Sequence, residues 1–178
     1  MSWTLCNSVT RWSTRHAVPC RRSGYYLTKD GNLKKAVTVR IGARQIFAPP
    51  DEVWIIEPSG EWAWKFTDSK GKLSAKQLAA LARHLATLDF NSLPKTQGYQ
   101  PKESSGGYGY VVIAFGKQEA AFYAKSGKSR ADYLPKPGDP KAAAWSRFTA
   151  LELVLADMLK MSQVRAEYGI KSGRPKGK

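Results

Sequence analysis

"EVWIIEPSGEWAWKF", Glu52 to Phe66, carries the strongest architectural signal in the chain. Two strand-like runs flank Pro58, Ser59 and Gly60, where proline presets the first torsion of a turn and glycine accepts a positive φ, so the stretch reads as a β-hairpin. Side chains on a strand alternate with period two, which puts Trp62, Trp64 and Phe66 on one side of the second run and Glu61, Ala63 and Lys65 on the other. The first run, Val53 to Ile56, is apolar on both faces and suits an inner strand. Three aromatics on one face form either a platform for stacking bases or the inside of a sheet. Base-binding sheets set their aromatics amid positive charge, whereas the neighbours here are Asp51, Glu52, Glu57 and Glu61 against Lys65 alone. Each ring buries about 150–250 Å², so three left in water would approach or exceed the largest apolar patch of an ordinary monomer, about 300–600 Å². The three rings are therefore assigned to the core, with the side taken by Trp54, on the facing run, left open.

Upstream, "AVTVRIG" (Ala36 to Gly42) alternates, with Val37, Val39 and Ile41 facing one way and Thr38 and Arg40 the other, a half-buried strand that "APPD" brings to an end. Downstream, Ser74 and Gln77 form a capping box, and Leu73 and Leu78 occupy the two positions of a hydrophobic staple, so a helix starts at Ala75. Leu78, Leu81, Leu85 and Leu88 then make one apolar stripe, and Phe90 and Leu93 tuck beneath the helix end before Pro94. "TQGYQPKESSGG" is a loop by composition. "YGYVVIAFGKQEAAFYAKS" is a second hairpin that turns near Gly116 and Lys117, with Val111 to Phe115 apolar on both faces. After the linker "LPKPGDP", Asp139 and Pro140 suit the N-cap and first position of a second helix striped by Ala144, Phe148, Leu151, Leu155 and Met158.

The chain has 178 residues and a formal net charge of +15. The basic excess sits at the ends: nine basic to one acidic side chain over 1–50 and five to one over 163–178, but fifteen to twelve over 51–162. Clustered Lys and Arg attract nucleic acid by releasing counterions from phosphates, so the tails are the candidate phosphate binders and the near-balanced centre is not. No apolar run approaches the roughly 18 residues a membrane helix needs. Residues 1–35 show no periodicity, and this reads as a disordered segment or a misassigned start. Cys6 and Cys20 both lie there, with no second Cys or His pair at metal-ligand spacing, so a disulfide between them would close only a short loop. The same stretch lacks the apolar core of a signal peptide. The expected location is the cytoplasm, or outside the cell if the true start lies elsewhere.

Catalytic motifs are sparse. "SGKS" (Ser126 to Ser129) lacks the glycine a phosphate-binding loop needs five residues before Gly127, where Phe122 stands. "GGYGY" (Gly106 to Tyr110) enters a strand rather than opening a helix, which reads as a flexible strand start and not a dinucleotide site. His16 lies in the unpatterned N-terminus, and His84 at the edge of the leucine stripe reads as a boundary histidine with one local hydrogen bond. The acidic residues fall singly, with no pair to which acid and base roles can be given. The chain is read as a non-enzyme with no cofactor.

In "KSGRPKGK", Gly173, Arg174, Pro175 and Lys176 resemble the Gly-Arg-Pro core of AT-hook peptides, with Ser172 where a second arginine is usual. The resemblance implies contact of Arg174, Pro175 and Lys176 with the narrow A·T minor groove, weak and sensitive to salt. The order "VWIIEPSGEWAWKF", "GKLSAKQLAALARHLATLDFNSLP", then a strand ending "VIAFGK" resembles a class of uncharacterised bacterial proteins, many from planctomycetes and often exported. More distantly the layout is similar to emfourin-type inhibitors of thermolysin-like proteases. These resemblances imply a fold and a protein partner, and match no inhibitory residue to a position here.

The expected fold is α+β, an antiparallel sheet of about five strands with two helices packed on one face. Residues 36–162 form that domain, residues 1–35 precede it, and residues 163–178 are a basic tail. The expected function is a non-catalytic protein-binding module, in a narrower form a protease inhibitor, with contacts on the loops Gln97 to Gly107 and Ser126 to Pro140. The alternative is a nucleic-acid binder acting through its tails.

Overall fold

The computed structural model of the protein describes residues 25–44, 50–88, 90, 96–98, 107–128, 130–133, 135, 136, 138, 139 and 141–168. Its strands are β1 (Val37–Arg44), β2 (Glu52–Ile56), β3 (Glu61–Trp64), β4 (Lys70–Lys72), β5 (Thr96–Gly98), β6 (Tyr108–Phe115) and β7 (Gln118–Lys125); its helices are α1 (Ala75–Leu88), α2 (Lys141–Met158) and α3 (Met161–Glu167). The fold is α+β. One sheet runs β4-β3-β2-β1-β6-β7-β5. Six strands are antiparallel neighbours, and β5 joins β7 in parallel. The sheet exceeds the expected five strands through β4 and β5, three residues each, too short to show periodicity.

Register explains the apolar pattern. Val37, Val39 and Ile41 of β1 pair with Ile56, Trp54 and Glu52 of β2 and with Phe115, Ile113 and Val111 of β6, so all of these share one face. Trp54 and Ile56 pair in turn with Trp64 and Trp62. Trp54 is 0% exposed and stacks on Trp64 with ring centroids 5.0 Å apart and planes 4° apart. The tryptophan ribbon is the inside of the sheet, and Trp54, left open by the sequence, belongs to it. Phe66 does not: β3 ends at Trp64, the chain turns, and Phe66 stands 79% exposed with φ +71°. Alternation carried it into the core only as long as the strand continued.

The helix side repeats the leucine pattern. Ser74 and Gln77 bond reciprocally, Ser74 N–H donating to Gln77 Oε1 at 2.9 Å and Gln77 N–H to Ser74 Oγ at 3.3 Å. Leu73, Leu78, Leu81, Leu85, Leu88 and Phe90 are buried. Ala82 and Ala86 are buried as well and widen the stripe, and α1 packs against α2. β4 and β5 are opposite edges of the sheet, about six strand spacings or 29 Å apart. The 14 residues of α1 cover about 21 Å of that crossing. Asp139 caps α2, accepting from Lys141 N–H at 2.8 Å, and Phe148, Leu151 and Leu155 join the core.

Two boundaries move. Residues 25–35 belong to the domain: Leu27 bridges Leu33, Leu33 N–H donates to the Pro58 carbonyl at 2.9 Å, and Tyr26 and Leu33 are buried. Two apolar anchors on a polar turn at Gly31 leave no periodicity to read. At the other end, α3 buries Met161 and Val164, Arg165 Nε lies 2.7 Å from Glu52 Oε2, and the Tyr168 ring meets Trp64 edge-on at 5.2 Å. Residues 163–168, expected to belong to the tail, thus pack against the domain. His16, Cys6, Cys20, Leu93 and Pro94 lie outside the described residues.

Candidate functional site

With the helices' apolar residues committed to one face, the opposite face of the sheet carries what β1, β6 and β7 turn outward. Register aligns Arg40, Gly42 and Arg44 with Val112, Tyr110 and Tyr108, and aligns those three with Ala121, Tyr123 and Lys125. The result is a second apolar cluster of strand residues alone: Tyr110, Val112 and Ala121, with Tyr108 and Tyr123 packed against them. Ring centroids lie 5.6 Å apart for Tyr108 and Tyr123, 6.0 Å for Tyr110 and Tyr123, and 6.4 Å for Tyr108 and Tyr110. Among the described residues no helix contributes to this cluster.

The tyrosines are framed by charge. The Arg44 guanidinium lies 5.8 Å from the Tyr110 ring centroid and 3.9 Å from Asp51 Oδ2, and Arg40 reaches Glu119 at 3.4 Å. Both arginines are exposed, so these ion pairs are weak and leave the guanidinium groups open to competition from another anion. Tyr110 donates to Asp51 across the backbone of Gly42, where a Cβ would collide with Asp51 Oδ1 and with the Tyr110 hydroxyl. Glycine at 42 thus makes room for this bond by lacking a side chain. Burial, then the hydrogen bond to Asp51, pushes the Tyr110 hydroxyl up to about 12. It stays protonated at neutral pH.

Arg40, Arg44, Tyr108, Tyr110, Val112 and Tyr123 line a depression of about 130 Å³. Pockets that enclose a drug-sized ligand run to about 300–1,000 Å³, so this one suits an anionic group seated between the arginines, or one edge of a ring. The arrangement offers aromatic surface, cations and donors.

The expected contact loops leave the sheet beside this face. Ser126 N–H donates to the Gly107 carbonyl at 2.8 Å, next to the paired Tyr108 and Lys125. Of the first loop, 99–106 lie outside the described residues. The second is partly tied down on the helix side, where the Tyr133 ring packs edge-on against Phe122 and its hydroxyl accepts from Lys125 N–H at 2.9 Å. Ser126 to Lys128 form a turn with Gly127 at φ +78°, not the start of a helix. Arg174, Pro175 and Lys176 lie outside the described residues. His84 is half-buried on α1, and burial, then the neighbouring Arg83 charge, lowers its pKa below 6.5.

Among the described residues no three His, Cys, Asp or Glu side chains stand together as a metal would need, and no helix is long and apolar enough to cross a membrane. No family model matches the chain, and a search of curated proteins finds none that matches it.

The tyrosine patch escapes a reading strand by strand. Tyr108 and Tyr110 alternate across Gly109, and Arg40 and Arg44 share the wet side of β1. Only the order β1-β6-β7 brings them together.

Proposed function

We propose that the chain is a non-catalytic binding module that recognises its partner with the outer face of β1, β6 and β7. One observation carries this reading: Tyr108, Tyr110 and Tyr123 share that face with Arg40 and Arg44, and among the described residues their cluster is free of helix side chains. Tyrosine and arginine are the residue types that concentrate binding energy in interfaces, because each combines a large flat surface with polar groups. A rigid sheet holds them without the ordering cost a loop would bring. Support also comes from the two loops expected to make contacts, whose roots adjoin Tyr108 and Lys125.

The test is charge reversal at two exposed positions. Immobilised full-length chain and its Arg40→Glu/Arg44→Glu variant are compared for what each retains, with near-UV circular dichroism as the check on folding. Partners retained by the native chain are expected to be lost from the double variant. They are expected to persist on an Arg174→Ala/Lys176→Ala variant, which separates the sheet from the AT-hook-like tail as the binding element. Equal retention by the native chain and the charge-reversed variant would refute the outer-face reading.

A further inference from the structure

We propose that the ligand of this face is single-stranded nucleic acid, lying across the strands with its phosphates on outward cations and its bases against Tyr108 and Tyr123. The proposal rests on the outer-face reading and adds the chemical class of the partner. The pairing of Ala63 with Lys70 and Glu61 with Lys72 turns both lysines to the same side as Arg40, Arg44 and Lys125. The outward cations thus stand on β4, β1 and β7, at separations of about 14 and 10 Å for a strand spacing of about 4.8 Å. They form a track across the sheet rather than one cluster. A polyanion matches a track; a single carboxylate does not.

The outward carboxylates are Glu61, Asp51, Glu119 and Glu57, the last opposite Glu61 at the hairpin turn; the first three have a cation beside them, Lys72 as strand partner, Arg44 at 3.9 Å and Arg40 at 3.4 Å. Five cations against four carboxylates leave the face positive by one, and the +15 of the whole chain adds a long-range attraction for any polyanion. Positive charge around aromatics is the feature that the tryptophan strand lacks and this face has.

The rings select a single strand over a duplex. Tyr110 is 9% exposed and braced by Asp51 and Arg44, while Tyr108 and Tyr123 are each partly open. A duplex hides its base faces inside the stack, whereas a single strand can lay them on aromatic rings. The track is about 24 Å wide, room for about four nucleotides, the low end of the site sizes known for single-strand-binding β-structures.

Fluorescence anisotropy of a labelled oligothymidylate of about 12 nucleotides, titrated with the full-length chain at about 50 mM salt, tests the proposal. Saturable binding is expected, with log affinity falling against log salt at a slope of about −2 to −4, since three to five phosphate contacts contribute about 0.7 each on a single strand. Arg40→Glu/Arg44→Glu is expected to weaken binding at least about tenfold, as is Tyr108→Ala/Tyr123→Ala, while duplex of the same length binds more weakly. The arginine variant changes only exposed side chains, so it keeps the test valid if the tyrosine variant fails to fold.

No binding at low salt, equal or tighter binding of duplex, or binding untouched by the arginine reversals but removed by Arg174→Ala/Lys176→Ala would each overturn the proposal. If oligothymidylate fails while a captured protein still depends on Arg40 and Arg44, the nucleic-acid inference falls and the outer-face reading stands. If nothing captured depends on them, both fall.

Discussion

Phe66 shows how sharply one residue can depart from the pattern around it. Two positions after buried Trp64, it holds φ +71° in the turn to β4, with the Lys65 ammonium 5.0 Å from its ring centroid and most of the ring in water. The left-handed conformation costs a residue with a Cβ about 1–2 kcal/mol, and glycine avoids that cost while losing about 0.5–1 kcal/mol to its freer unfolded chain. Phe66→Gly is therefore expected to leave the domain as stable or to stabilise it by up to ~1 kcal/mol, measured by denaturant unfolding. A loss above ~1 kcal/mol would show that the ring contributes packing. Trp54 is the opposite case. Its ring is fully buried against Trp62 and Trp64, yet among the described residues its indole N–H has no hydrogen-bond partner, so its stabilising role comes from ring contact rather than a polar bond.

At the scale of elements, the helix most fully specified in sequence is α1, because its capping box, staple and stripe all lie within sixteen consecutive residues, Leu73 to Leu88. Helix α3 was illegible for a complementary reason. Its seven residues follow Lys160, whose φ of +50° breaks the chain away from α2, and no glycine or proline marks the break. What holds α3 is tertiary: Met161 and Val164 in the core, Arg165 on Glu52, and Tyr168 on Trp64 beyond its end. Truncation after Lys160 removes two buried side chains worth about 1.5–3 kcal/mol each, along with the Glu52 partner. The truncated chain is expected to lose roughly 3–6 kcal/mol of stability, read from the shift of the urea midpoint. An unchanged midpoint would return the domain boundary to residue 162.

For the whole molecule, two shifted groups shape stability against pH from opposite sides. The His84 pKa is lowered in the folded state, so below pH 6.5 the unfolded chain takes up a proton that the folded chain resists, and stability falls as acid is added. The Tyr110 pKa is raised from 10.0 to about 12, so its contribution is complete below pH 10 and is lost as pH rises from 10 toward 12. Chemical denaturation across pH should thus show a plateau between these limits. His84→Gln should flatten the slope just below pH 6.5, and Tyr110→Phe the slope above pH 10. If the variants keep the native profile, burial of these groups does not govern it. The site follows the same division of scales: the wet side of β1 was readable at Arg40, but its meeting with Tyr108 and Tyr110 required β6 to be its neighbour, and strand order is set by packing over distances that no local period reports.

By itself the sequence settled the parts that depend on short-range physics: the two hairpins, the capped start of α1, the stripes of α1 and α2, and the inward side of Trp62 and Trp64. Turn torsions, capping bonds and side-chain alternation act over a few residues, so neighbouring letters contain them. Only the tertiary structure decided which strands adjoin, that Tyr26, Leu33 and Val164 belong inside, and that three tyrosines and two arginines from β1, β6 and β7 share one face. Those outcomes arise from burying surface between segments far apart in the chain, and their free energy exists only once the segments meet.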